Sequence, residues 1–155
     1  MHPHAELITK FYSALQRRDA AAMAACYHPE IHFSDPVFPD LHGPDAARMW
    51  DMLCARGKDL RVEFAGVQAD DRTGAAAWDA WYTFSATGRP VHNRIRAEFR
   101  FRDGAIIRHI DHFSFWRWAR QALGPMGGLL GWSGLVKNRV RAQAGAALAA
   151  FKPAR

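Results

Sequence analysis

The sequence predicts an α+β fold in which helices pack on one face of a curved, mostly antiparallel sheet. Three observations carry this prediction. Apolar residues recur at helical spacing in the first third of the chain, and strict two-residue alternation fills the middle. The segments follow the order α-α-β-α-β-β-β-β, which fits neither a repeating βαβ layout nor an all-helical one.

Over residues 5–17, Ile8, Phe11, Tyr12 and Leu15 fall at i, i+3, i+4 and i+7, one face of an amphipathic helix. Asp19 is placed to cap a short alanine-rich helix over 20–26, ended by His28-Pro29. Ile31, Phe33 and Asp35 then alternate with His32 and Ser34 as a short strand, and Pro36 and Pro39 stop it from continuing as sheet. After a loop, Gly43-Pro44 opens a third helix with apolar residues Ala46, Met49, Trp50 and Leu53, and Gly57 suits its end. Leu60, Val62 and Phe64 begin the next strand. A turn at 70–74 leads to a strand over 75–85, and a second turn at 87–90 leads to the longest alternating run.

In that run Ile95, Ala97, Phe99 and Phe101 alternate with Arg94, Arg96, Glu98, Arg100 and Arg102, the pattern of a strand with one buried and one wet face. Asp103-Gly104 is a hairpin signal, because tight turns need positive φ. The return strand over 105–115 places His109 and Asp111 on the face of Ile107, Phe113 and Phe115. A carboxylate and an imidazole on an apolar face must be satisfied by partners or by a cavity, since burying an unpaired charge is costly. The tail reads as a helix over 116–123, a glycine-rich MGGLLGWSG break, and a last helix over about 135–151. Val136, Val140, Ala144, Ala147, Leu148 and Phe151 lie on one side of that helix, with Lys137, Arg139 and Arg141 on the other.

Of the 155 residues, 49% are hydrophobic and 23% charged, an ordinary globular balance long enough for a real core. The N-terminus is too polar for a signal peptide, and no apolar run reaches membrane-spanning length, so a cytoplasmic location is expected. Cys26 and Cys54 read as reduced core residues. The net charge of +6 is unevenly placed: every acidic residue lies at or before Asp111, while Arg117, Arg120, Lys137, Arg139, Arg141, Lys152 and Arg155 follow it. No nucleic-acid motif accompanies this basic tail. Its amphipathic spacing, with Trp116, Trp118 and Trp132 nearby, is compatible with a membrane surface, but docking of the apolar side on the body is the plainer expectation.

Two acidic positions stand out. Asp35 is either a turn residue before proline or a carboxylate turned inward with Ile31 and Phe33. Asp111 and His109 are either a structural pair or a mutually tuned one, the carboxylate fixing the imidazole tautomer. No metal site is expected, because His112 points to the opposite strand face from His109 and Asp111, and His28 and His32 have no convergent partner.

The segments HFSDPVFPDLHGPDAARMW, WYTFSATGRPVHNRIRAEFRF and DHFSFWRWARQALG, set in this element order, make the chain resemble the nuclear-transport-factor-2-like superfamily. The details are most similar to its SnoaL-like and ketosteroid-isomerase-like bacterial members. The resemblance covers about residues 5–115. It implies a cystatin-like roll, a cone-shaped sheet wrapped around the N-terminal helices with an apolar pocket at its open end. It also implies an SnoaL-like domain over 1–115, with 116–155 as a helical extension packed on it, and homodimers formed through the outer sheet face.

The resemblance places Asp35 at the general-base position of ketosteroid isomerases, in a matching Asp-Pro-Val. Their tyrosine position falls on Phe11, with Tyr12 facing elsewhere, and their second acid position falls near Ala97. The implied activity is cofactor-independent proton transfer (isomerisation, cyclisation, dehydration or epoxide hydrolysis) on a small hydrophobic molecule. Asp35, Asp111 and His109 would be its catalytic groups, and Phe11, Phe33, Trp50, Tyr82, Phe84, Phe99 and Phe113 its apolar walls. The alternative is a non-catalytic module for ligand binding or dimerisation.

Overall fold

The computed structural model describes residues 1–131 and 133–152. Trp132 and Arg155, both assigned by sequence to the tail, lie outside the described residues. The elements are α1 (Pro3–Gln16), α2 (Ala20–Ala24), β1 (Tyr27–Ser34), β2 (Leu41–His42), α3 (Pro44–Arg56), β3 (Arg61–Ala69), β4 (Thr73–Phe84), β5 (Arg89–Arg102), β6 (Ala105–His112), α4 (Phe115–Leu123), α5 (Pro125–Leu130) and α6 (Gly134–Ala150). The sheet has six strands in the order β2-β1-β6-β5-β4-β3, and only the β1–β6 pair is parallel. This is the expected α+β architecture, a curved and unclosed sheet against helices.

The hairpin between β5 and β6 turns as its sequence dictates, with Asp103 at φ 52° and Gly104 at φ 76°. Along β5 the buried set is Val91, Asn93, Ile95, Ala97 and Phe99, one face without interruption. The apolar face of α1 fills the concave side: Ile8, Phe11, Tyr12 and Leu15 are all essentially inaccessible to solvent. Asp19 caps α2 through its side chain, which accepts from the Ala22 amide at 3.0 Å. Cys26 and Cys54 are both buried free thiols.

Five local expectations are corrected. The strand β1 begins at Tyr27, so His28-Pro29 lies inside it, and Pro29 is tolerated where the β1–β6 register is interrupted between Tyr27 and His32. The loop before α3 contains β2, whose two residues pair with His32 and Phe33. On α3 the buried set is Ala46, Met49, Trp50, Met52 and Cys54, whereas Leu53 is 39% exposed. In β6 a bulge leaves Ile107 without a partner between the Arg100–Arg108 and Phe101–Ile106 pairs. The bulge shifts the alternation by one residue, so Ile106 rather than Ile107 shares the buried face with His109 and Asp111. The strand also stops at His112, and Phe115 belongs to α4.

The basic tail docks on the body. Leu148 is buried in the main core with Ala144, Ala147 and Phe151 packed beside it, while Val136 and Val140 pack on a second cluster of Val91, Phe115, Trp118, Ala119 and Ala122. Arg48 of α3 holds the end of α6 by donating Nη2 to the carbonyls of Leu148 and Phe151, each at 2.8 Å. The α4–α5 corner is close-packed: a Cβ on Gly127 would stand 2.1 Å from the Ala119 carbonyl oxygen. Among the described residues no helix is long and apolar enough to cross a membrane.

Candidate functional site

The parallel strands β1 and β6 end side by side, with Phe33 opposite His109 and Ser34 opposite Ile110. Just beyond, the chain of β1 turns sharply. Asp35 Oδ1 accepts from the Val37 amide at 2.7 Å and the Phe38 amide at 2.6 Å, and the Asp35 amide donates to the Phe38 carbonyl at 2.9 Å. Both readings of this residue therefore hold at once: it shapes the turn, and it also lines a small cavity of about 270 Å³. The other walls of that cavity are Ser34, Pro36, Pro39, Ile110, Asp111, His112 and Phe113. The two acids, far apart in sequence, face one hollow.

Burial pushes the Asp35 carboxyl up to about 7. The amide of Phe38 opposes this, the Asp111 carboxylate adds to it, and the Val37 amide and the Arg141 guanidinium oppose it further. Arg141 comes from α6 and donates Nε to the Pro36 carbonyl at 2.9 Å, so the tail helix reaches over the Asp35 turn.

Asp111 lies one layer deeper, directly across from Ala97 on β5. The β5 position where the resemblance places a second acid thus carries a methyl group, and the neighbouring strand supplies the carboxylate. Asp111 Oδ1 meets His109 Nε2 at 2.9 Å and Trp78 Nε1 at 3.4 Å. On the other side of the imidazole, Tyr27 Oη lies 2.8 Å from Nδ1, and Trp50 Nε1 donates to that same oxygen at 2.8 Å.

The direction of the chain follows from its ends. An indole can only donate, so Tyr27 accepts from Trp50 and passes its own hydrogen to His109 Nδ1. His109 Nε2 then carries the hydrogen given to Asp111. In this tautomer each ring nitrogen of His109 has one partner. His109 is fully enclosed by Phe11, Phe33, Trp50 and Phe99, with ring centroids 4.5 to 6.1 Å away.

The expected apolar walls separate into two groups. Phe11, Phe33, Trp50 and Phe99 are core, packed around His109, and none of them borders the cavity that Asp35 and Asp111 share. Tyr82, Phe84 and Phe113 lie at the mouth of the sheet, where α4 packs on them; Trp118 Nε1 donates to Tyr82 Oη at 2.8 Å. Phe113 alone of the seven lines the shared cavity. The larger hollow, about 680 Å³, is a groove on the outer sheet face bordered by Gln68, Ala75, Glu98, Arg100, Arg108 and Ile110. It brings no acid–imidazole pair together.

Sequence reasoning missed one tyrosine. Tyr27 falls in a stretch read as the end of a helix. Tyr12, placed by its spacing on the apolar stripe of α1, is fully buried against Phe64, Trp78 and Phe99. Its hydroxyl has no hydrogen-bond partner among the described residues, and burial, with Asp111 and Tyr27 adding to it, holds the phenol well above its usual range. His32, expected to stand alone, meets Asp40 and His42 on the outer edge of β1.

A curved, unclosed six-stranded sheet packed against helices defines the class of small α+β roll proteins to which this chain is similar. The SnoaL-like domain family model matches residues 8–109, and the chain belongs to that family. Among solved structures, an NTF2-like protein of unknown function from Burkholderia pseudomallei is 18% identical, with 78% of this chain and 98% of that one covered at a TM-score of 0.69. A protein with a ketosteroid isomerase-like fold from Catenulispora acidiphila, in complex with trimethylamine, is 13% identical over 77% of this chain and 94% of that one, at 0.67. An LEH-like epoxide hydrolase of M. tuberculosis is 17% identical over 84% and 97%, at 0.65. No curated protein matches. At these identities the solved structures establish the fold alone.

Proposed function

We propose that this SnoaL-like protein catalyses cofactor-independent proton transfer on a small hydrophobic molecule, with Asp35 as the proton-carrying base. The observation that carries this reading is a carboxyl pushed up to about 7 on the same cavity as a second, hydrogen-bonded carboxylate. A general base works best with its pKa near the working pH. Asp35 would take a proton from the carbon of a carbonyl compound or from a water molecule and return it to the product. Asp111 has both its donors on Oδ1, so Oδ2 is left to face the substrate. Its negative charge disfavours a second anion nearby, which keeps Asp35 ready to hold a proton. His109 acts through Asp111 and does not touch the cavity, so its role here is positioning.

The chemistry named by the M. tuberculosis relative, epoxide hydrolysis, suits the same pair if Asp35 activates water. A hollow of about 270 Å³ suits a small ligand only. Anything larger requires α4 and α6 to move from the mouth. The basic outer face, with its groove, is proposed as the homodimer surface.

The test is deuterium incorporation. Cyclic enones and 1,3-dicarbonyl compounds would be incubated with the protein in deuterated buffer, and exchange at carbon followed by NMR. Exchange above the buffer rate that is lost in Asp35→Asn supports the base. Native exchange unchanged by that substitution removes Asp35 from the chemistry.

A second reading has its own observation. The interior beneath the cavity is filled by Phe11, Phe33, Trp50 and Phe99, as in a protein whose hollow is structural. No exchange with any compound, together with saturable binding of one of them, would favour the binding module.

A further inference from the structure

The outer edge of the sheet carries a second cluster, separate from the acidic hollow. His32 of β1 and His42 of β2 are cross-strand partners, and their rings stack with centroids 4.3 Å apart at 17°. The loop between the two strands returns Asp40 to the same spot. Its Oδ1 lies 2.5 Å from His32 Nε2 and 2.8 Å from His42 Nε2. One ligand atom from each residue can be chosen so that all three lie within 4.8 Å of one another.

Two details separate this cluster from an ordinary surface ion pair. His32 Nε2 is shielded from solvent yet makes no hydrogen bond among the described residues, because the carboxylate oxygen approaches it off the axis a ring N–H would need. Elsewhere on this protein, imidazoles beside carboxylates do reach hydrogen-bond geometry, as His92 does with Asp79 at 2.7 Å. In addition, two imidazoles converge on a single oxygen, although stacked rings that both carry charge would repel one another. A divalent cation satisfies all three groups: two neutral ring nitrogens give it lone pairs, and the carboxylate supplies negative charge.

We propose that His32, Asp40 and His42 form a surface site for a first-row divalent metal ion of the zinc type. Two imidazole nitrogens and one carboxylate oxygen are a donor set such ions favour over calcium or magnesium. Ligand bonds of about 2.0–2.2 Å require Asp40 to withdraw from between the nitrogens by roughly an ångström. That movement is open to it, since its side chain is 62% exposed and it sits in a loop. Water completes the coordination. The bound ion ties the β1 end to the β2 start and so closes the loop that contains the Asp35 turn. The site stands independently of the proton-transfer proposal.

Metal-stripped full-length protein would be titrated calorimetrically with zinc chloride at about pH 7.5. One ion per chain is expected, with His42→Ala and Asp40→Asn each weakening it by about tenfold or more. His112→Ala, which removes an outer-face imidazole paired with Glu98, leaves the affinity within about twofold. All three positions are exposed, and circular dichroism checks that each variant is folded. Unchanged affinity in either His42→Ala or Asp40→Asn overturns the site, as does the absence of saturable binding up to about 1 mM.

Discussion

Asp111 and Asp35 border the same hollow but are held by different parts of the molecule. Asp111 rises from the middle of a strand and is gripped by two side-chain donors, His109 and Trp78, in a chain that ends on Trp50. Asp35 hangs from a turn and is held by backbone amides, with a cation from the tail helix nearby. The first arrangement fixes a charge in place and makes the core depend on it. The second leaves a carboxyl whose proton can come and go without dismantling its surroundings, since an amide can donate to either protonation state of the acid. One cavity thus combines a rigid charge with a titratable one.

Breaking the rigid side gives the largest effect. His109→Ala removes the link between Tyr27 and Asp111 and opens a void among Phe11, Phe33, Trp50 and Phe99, so it should cost about 3–5 kcal/mol. Chemical denaturation would measure this; a loss below about 1 kcal/mol would mean the chain of donors is not what holds this region.

The titratable side should behave in the opposite sense. A carboxyl whose folded pKa lies near 7, above its unfolded value of about 3.9, binds its proton more tightly when folded. Its favourable contribution is present at low pH and declines as pH rises from about 4 to about 7. Asp35→Asn keeps the acceptor for the Val37 and Phe38 amides and removes the charge. Relative to the native protein it should gain on the order of 1–3 kcal/mol at pH 8, and much less at pH 4. A pH series of melting curves would test this, and parallel curves for the two proteins would contradict it.

The cover over the mouth is a smaller contributor. Arg48→Ala deprives the Leu148 and Phe151 carbonyls of their donor and should cost about 1–2 kcal/mol, read as faster amide exchange along α6 before any change in the sheet. The smallest effect belongs to Tyr12. Its hydroxyl is buried without a partner among the described residues, so Tyr12→Phe should be neutral or stabilising by up to about 1 kcal/mol. A clear destabilisation would reveal a partner for that hydroxyl.

Much of the fold was legible because its signals are local. The 3.6-residue stripe of α1, the alternation of β5 and the Asp103-Gly104 turn each depend on neighbours in sequence, and each appears as read. Pattern reading failed where a single residue changes the count. The bulge at Ile107 reverses the alternation of β6, yet His109 and Asp111 still face inward, because both lie beyond the bulge and keep their mutual spacing of two. Tyr27 was hidden by a proline two residues later, which an interrupted register accommodates.

What the sequence determined by itself was the class of fold, the belonging to a family, and the turning of Asp35 and Asp111 toward the inside, since periodicity and short motifs are properties of neighbouring residues. Only the tertiary structure decided that Tyr27 and Trp50 complete the line to Asp111, that the tail helix brings Arg141 over the Asp35 turn, and that His42 and Asp40 come to His32. Contacts between residues distant along the chain depend on strand register and on the angle at which helices dock. Those are set by the packing of the whole core, and no local stretch of sequence encodes them.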